Sequence, residues 1–230
     1  GLINAVDGTI FGFGVIVTDV SNDGDLIVVA DTELVGNLGN EGTVTVQNGT
    51  FTVLGDLSGG GDIVGDFSAL DGVAGECGIA VIGNFAVARG GSIAVADGAL
   101  KVAGDFDVAV DHAQSVDLAF ATIQFVGLGG EGLQSLETLA ADLGNAVVLP
   151  RTDLFSIGTL RLGPTATTVM LVDAHLNSGG IDAEVLYVDH LLLDEGTTLD
   201  LAGLRIYYNH VEPADPFHPA SGVQVIDSVG

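Results

Sequence analysis

The sequence predicts an all-β protein, a parallel β-helix or β-solenoid with one short helix in a C-terminal cap region. Three observations lead there. Composition is the first: 35 Gly stand beside abundant Val, Leu and Ala, with 5 Pro, no Trp and one Met in 230 residues, the mixture of short strands and glycine turns. The second is an echo. GTVTVQNGTFTVLGDL (42–57) returns 49 positions later as GSIAVADGALKVAGDF (91–106), without a gap and with apolar residues alternating in both. The third is a corner motif, Gly followed by Asn or Asp and then Leu or Phe. It occurs at Gly36-Asn37-Leu38, Gly55-Asp56-Leu57, Gly65-Asp66-Phe67, Gly83-Asn84-Phe85 and Gly104-Asp105-Phe106. The steps between these glycines are 19, 10, 18 and 21 residues, and three of the four approximate one coil of a solenoid.

Each stretch has a reading in that frame. GLINAVDGTIFGFGVIV (1–17) is apolar and almost uncharged; it forms the first coil or two, or docks on a neighbouring subunit as an added strand. From there to about residue 127 the chain is a repeat region. Gly and Asn/Asp accept left-handed backbone and turn the corner, and the following Leu or Phe turns inward. Alternating pairs such as Val44/Val46 and Ile93/Val95 line one face of each strand. On this reading the 49-residue echo is two coils plus one short step, the step of 10 marking a half-coil or bulge at Gly59-Gly60-Gly61-Asp62.

Residues 128–230 form a helix-containing cap region, continuous with the repeat region as one domain. GEGLQSLETLAADLG (130–144) spaces Leu133, Leu136, Leu139, Ala140 and Leu143 at helical intervals between glycines and predicts the helix. Strands are expected at Ala146–Leu149, Thr159–Leu162, Thr168–Val172, Val185–Val188, Leu191–Leu193, Thr198–Leu201, Leu204–Tyr208 and Val223–Ile226. The tail before that last strand holds three of the five prolines and reads as a loop.

AEVLYVDHLLLDEGTTLDLAGLRIYY (183–208) resembles the closing segment of a group of exported bacterial β-solenoid proteins of the cell-envelope and extracellular-matrix type. GLQSLETLAADLG and TLRLGPTATTVMLVDAHLNSGG match the same group's lead-in, and Ala202 stands where the pattern usually has Asn. The resemblance implies an exported surface or matrix protein and carries no catalytic motif. The start at Gly1 rather than Met agrees with a processed, exported product.

Charge narrows the partners. With 31 acidic residues against 5 basic ones, a net charge of −26 argues against nucleic acid and anionic membrane surfaces, both of which need clustered Lys/Arg. No apolar run approaches the roughly 18 residues of a bilayer span, so membrane insertion is not expected. Cys77 is the only cysteine and reads as a small buried residue.

A polysaccharide lyase or hydrolase would need clustered carboxylates, and the candidate cluster is Asp56, Asp62, Asp66 and Asp105. Asp is expected at those corners for turn geometry alone. His112, His175, His190, His210 and His218 are scattered, with Asp111-His112, Asp173/His175 and Asp189-His190 as carboxylate–imidazole pairs but no metalloprotease or triad signature. Calcium is the candidate cofactor. Asp19-Val-Ser-Asn-Asp23-Gly-Asp25 has EF-hand-like spacing, yet Ala30 occupies the twelfth position, which leaves a looser loop of Asp19, Asp23 and Asp25 as the metal site. The sequence therefore favours a non-enzymatic, exported, extracellular or cell-surface structural protein. Its partner is itself, in a filament or array built by end-to-end strand contacts. An adhesin or polysaccharide-binding module is the second reading, and a carbohydrate-active enzyme the third.

Overall fold

The computed structural model describes residues 1–66, 78–110, 112, 115–127, 132–178, 183–212 and 224–226. The chain opens with β1 (Leu2–Asn4), β2 (Thr9–Ile16), β3 (Val20–Asn22), β4 (Asp25–Leu34), β5 (Leu38–Asn40), β6 (Thr43–Val46), β7 (Thr50–Val53) and β8 (Leu57–Gly59). It continues with β9 (Asp62–Asp66), β10 (Gly78–Val81), β11 (Phe85–Val87), β12 (Ser92–Ala96), β13 (Ala99–Val102), β14 (Phe106–Val108) and β15 (Val116–Phe125). The last are β16 (Leu133–Glu137), β17 (Ser156–Leu162), β18 (Thr168–Val172), β19 (Val185–Leu193), β20 (Thr198–Asp200), β21 (Arg205–Glu212) and β22 (Gln224–Ile226).

Ten strands form one sheet, in the order β1-β3-β5-β8-β11-β14-β16-β18-β20-β22, and twelve form the other. Every pairing between these strands is parallel. In the larger sheet β4 pairs with β6 through Asp25–Val28 and with β7 through Thr32–Leu34. The long β15 likewise reaches β12 and β13. The pairings β4-β6-β9-β12-β15-β13-β10-β7 therefore close into a ring of eight parallel strands.

Side-chain alternation and strand register together build the core. In the ten-stranded sheet Val20, Leu38, Leu57, Phe85, Phe106, Leu136 and Leu171 follow one another in register, all buried. Phe85 and Phe106 stack with ring centroids 5.3 Å apart. A second column runs Phe51, Ile79, Leu100, Ile123, Leu160 and Leu191. Fully burying a side chain of this size contributes about 1.5–3 kcal/mol, and each column buries its members only because a strand lies on either side.

The echoed segments sit two pairings apart. Val44 pairs with Ile63, which pairs with Ile93, and Phe51 reaches Leu100 through Ile79. The corner expected at Gly65 is corrected: Gly65 lies inside β9, paired with Val46 and with Val95. Gly83, not Gly65, is the motif glycine that stacks on Gly55. The four true corners stack tightly. A Cβ on Gly55, Gly83 or Gly104 would collide with the Asn or Asp side chain and the glycine backbone of the layer before, which is why glycine alone serves there.

The helix expected over 130–144 is also corrected. Residues 128–131 lie outside the described part, and Leu133–Glu137 is strand β16, paired with β18 from Leu133↔Thr168 to Glu137↔Val172. Gln134, Leu136 and Glu137 are buried while Leu133 and Leu143 are exposed, so the leucine spacing does not describe one apolar face. A five-residue register with β18 outweighs a weak local helical preference. Ala146–Leu149, expected as a strand, is turn and irregular chain, whereas the expected pieces 185–188 and 191–193 merge into β19. Cys77 and His218 lie outside the described residues.

Candidate functional site

The N-terminal end differs from the rest of the surface. Among the described residues β1 pairs only with β3 and β2 only with β4, so each leaves one edge of N–H and C=O groups open. Ile3, Val6, Phe11, Phe13, Val15 and Val17 are each 63–74% exposed. Asp7 is the only ionisable side chain in residues 1–18. In a chain of net charge −26 this is an almost uncharged apolar band.

Behind it runs an internal amide ladder that the sequence reading missed. Asn4 donates to the Asn22 side-chain oxygen at 2.7 Å, and Asn22 to that of Asn40 at 2.7 Å. All three are buried, and their spare amide hydrogens satisfy corner carbonyls such as Gly24 and Thr43. The signal was available: Asn4, Asn22 and Asn40 are spaced by 18 residues.

A second ladder follows the corner motif on the outside. The Asp19 carboxylate accepts the Asn37 N–H at 2.8 Å, the Asn37 side chain that of Asp56, Asp56 that of Asn84, Asn84 that of Asp105, and Asp105 that of Ser135. Asp19 thus works as a link between layers. Asp23 and Asp25 are exposed, and the three candidate calcium ligands are not among the groups whose donor atoms converge within 4.8 Å. Of the carboxylates weighed for catalysis, Asp56 and Asp105 share this ladder. Asp62 begins β9 in the other sheet and accepts from Ser92 Oγ at 2.7 Å, and the Asp66 side chain lies outside the described part.

Over the ten-stranded sheet a groove of about 650 Å³ is lined by Asp56, Asp105, Asp107, Glu137 and His175 among others. His175 pairs with Asp107 at 2.7 Å rather than with Asp173. Glu137 is one of the lining residues, but it is buried, and its carboxylate accepts the N–H groups of Ala174 (2.9 Å) and His175 (2.7 Å). Burial pushes the Glu137 carboxyl up to about 7 despite those two donors. A general acid must reach its substrate, and this one faces backbone.

Among the described residues two sets of donors converge within 4.8 Å: Asp189 with His190 and His210, and Glu137 with Asp173 and Glu184. In the first, the imidazoles of His190 and His210 stack with centroids 4.6 Å apart and Asp189 lies 3.6 Å from His190. His112 is exposed, and its expected partner Asp111 is outside the described residues. The Asp189-His190 pair was legible in the sequence, but His210 joins it only through the pairing of β19 with β21, and Glu137, Asp173 and Glu184 come from three separate segments. Compared with known family models, curated proteins and solved structures, the chain has no match.

Proposed function

We propose that the chain is a β-solenoid with a structural role, an exported protein that assembles end to end with further copies of itself into an extracellular filament or surface array. What supports the solenoid reading is the origin of the eight-strand ring. Consecutive strands β6 and β7 do not pair with each other; each pairs with a different half of β4. On the solenoid reading the ring is two faces of a coil bridged by the long strands β4 and β15, each of which pairs with two separate strands, whereas each stave of a simple barrel runs its full length beside one neighbour on either side.

The observation that carries the assembly reading is the open, apolar N-terminal edge. Both sheets begin at that end, with β1 and β2, and finish with β22 and β21, all parallel. A second copy laid on the first in the same orientation would continue both ladders by parallel strand addition. Such a head-to-tail contact does not close on itself, so a filament follows. Outside the contact, the acidic surface keeps rods apart and soluble.

Negative-stain electron microscopy and light scattering of the purified chain test this across concentration. Filaments or a ladder of oligomers are expected, lost in a Phe13→Glu, Val15→Lys variant whose far-ultraviolet circular dichroism is unchanged. A wild-type sample that stays monomeric at every concentration refutes the reading. The acidic groove beside the Asp107–His175 pair supports a second reading, a glycan-binding module. Specific binding of an uncharged or amino-sugar polymer by a monomeric sample would favour it.

A further inference from the structure

Glu137 ends strand β16, Asp173 follows strand β18 by one residue, and Glu184 directly precedes strand β19. One oxygen from each of the three carboxylates lies within 4.8 Å of the others. Two of the three are removed from water altogether: Glu137 is 0% exposed and Glu184 1%. Asp173 is exposed and marks the mouth.

The surrounding hydrogen bonds hold the carboxylates in place without neutralising them. Glu137 accepts from the backbone of Ala174 and His175, Glu184 Oε1 from that of Ser178, and Asp173 from that of Glu184 at 3.2 Å. Among the described ion pairs none involves any of the three. Glu184 Oε2 is buried and, among the described residues, has no hydrogen-bond partner. A buried carboxylate oxygen with neither donor nor counter-charge costs several kcal/mol, and no described residue relieves it.

From this geometry we infer that Glu137, Asp173 and Glu184 form a binding site for a hard divalent cation, calcium by preference, with Glu184 Oε2 as the ligand atom left free for it. Calcium takes about 6–8 oxygens in a flexible arrangement and accepts several protein carboxylates, whereas magnesium keeps several waters and demands near-ideal octahedral geometry, so a set of protein carboxylates suits calcium better. An all-oxygen, carboxylate-rich donor set selects calcium or magnesium over thiolate- and imidazole-seeking metals. The ion would tie the ends of β16, β18 and β19 together where the chain leaves one sheet for the other.

The test is calorimetric titration of the whole chain with calcium, after removal of metals with a chelator, at about 0.15 M salt so that the acidic surface is screened. Thermal melting with and without calcium accompanies it. Wild type is expected to show a saturable site and a calcium-dependent rise in melting temperature. Glu184→Gln and Glu137→Gln each bind calcium at least about tenfold more weakly, since loss of even an outer-shell partner costs that much. Both melt no lower than wild type in chelator, because a buried charge has gone, and lose the calcium-dependent rise. Asp23→Asn behaves as wild type. Wild type melting identically with and without millimolar calcium would mean that the cluster holds a shared proton instead, and overturns the inference. Full calcium response in both Gln variants overturns it too, and places the ion on the outer acidic surface.

Discussion

Asn22→Ala tests the internal ladder. The side chain is fully buried and makes four hydrogen bonds: it accepts from Asn4 at 2.7 Å and donates to Asn40 Oδ1 at 2.7 Å, to Gly24 O at 3.0 Å and to Thr43 O at 3.1 Å. The amide has two hydrogens to share among those three acceptors, so with the accepted bond about three bonds at about 1 kcal/mol net each are lost, and an acceptor left unpaired in the interior costs at least about 1 kcal/mol. Alanine strands Asn40 Oδ1, whereas the Asn4 amide keeps the Asp25 carbonyl at 2.9 Å. The expected loss is therefore about 4 kcal/mol, at the upper end of what single substitutions do. Urea unfolding followed by circular dichroism measures it as a lower midpoint at constant slope. The exposed Asn48→Ala, changed by no more than about 0.5 kcal/mol, is the control. A cost below about 1 kcal/mol at Asn22 would show that the amide column is incidental to stability. Coupling between Asn22→Ala and Asn40→Ala in a double-mutant cycle should exceed about 0.5 kcal/mol.

Other consequences are as direct. Gly42→Ala drives its Cβ into the Gly24 carbonyl and backbone and should cost several kcal/mol, whereas Gly132→Ala, with open space around it, should be near neutral in the same melts. Phe106→Ala empties a fully buried site stacked on Phe85 and should lose about 3–5 kcal/mol. Ala202 holds φ at 48°, left-handed backbone that Asn tolerates better than Ala, so Ala202→Asn should raise stability by about 1 kcal/mol; a lower melting temperature would refute the strain argument. Asp142 is held below the ordinary carboxylate range by the Gly144 N–H, the Tyr207 hydroxyl and Arg205. Because its folded pKa is the lower one, its stabilisation is complete above the unfolded carboxylate range and disappears as pH falls through the folded value. Asp142→Asn should therefore melt lower than wild type at pH 7 and match it in strong acid.

Local signals that coincide with the architecture were readable. Gly36, Gly55, Gly83 and Gly104 do turn corners, their Asn or Asp side chains do bridge layers, and the echoed segments do stack two pairings apart. Gly65-Asp66 misled because the same dipeptide can lie within a strand when its neighbours supply the register. The leucines of 133–143 misled because helical and strand periodicities overlap over so short a span, and only the partner β18 chooses between them.

By itself the sequence determined composition, charge and the period of alternation, and with them an all-β chain of parallel, glycine-cornered strands, because steric freedom at glycine and the two-residue pleat are local properties. Tertiary structure alone decided which columns form. Asn22 meets Asn40, Phe85 meets Phe106, and Glu137 meets Glu184 only after the chain has returned to pair with its earlier strands. Burial also depends on that return, since a carboxylate drawn from water by strands 47 positions apart carries no mark of its fate in the residues beside it.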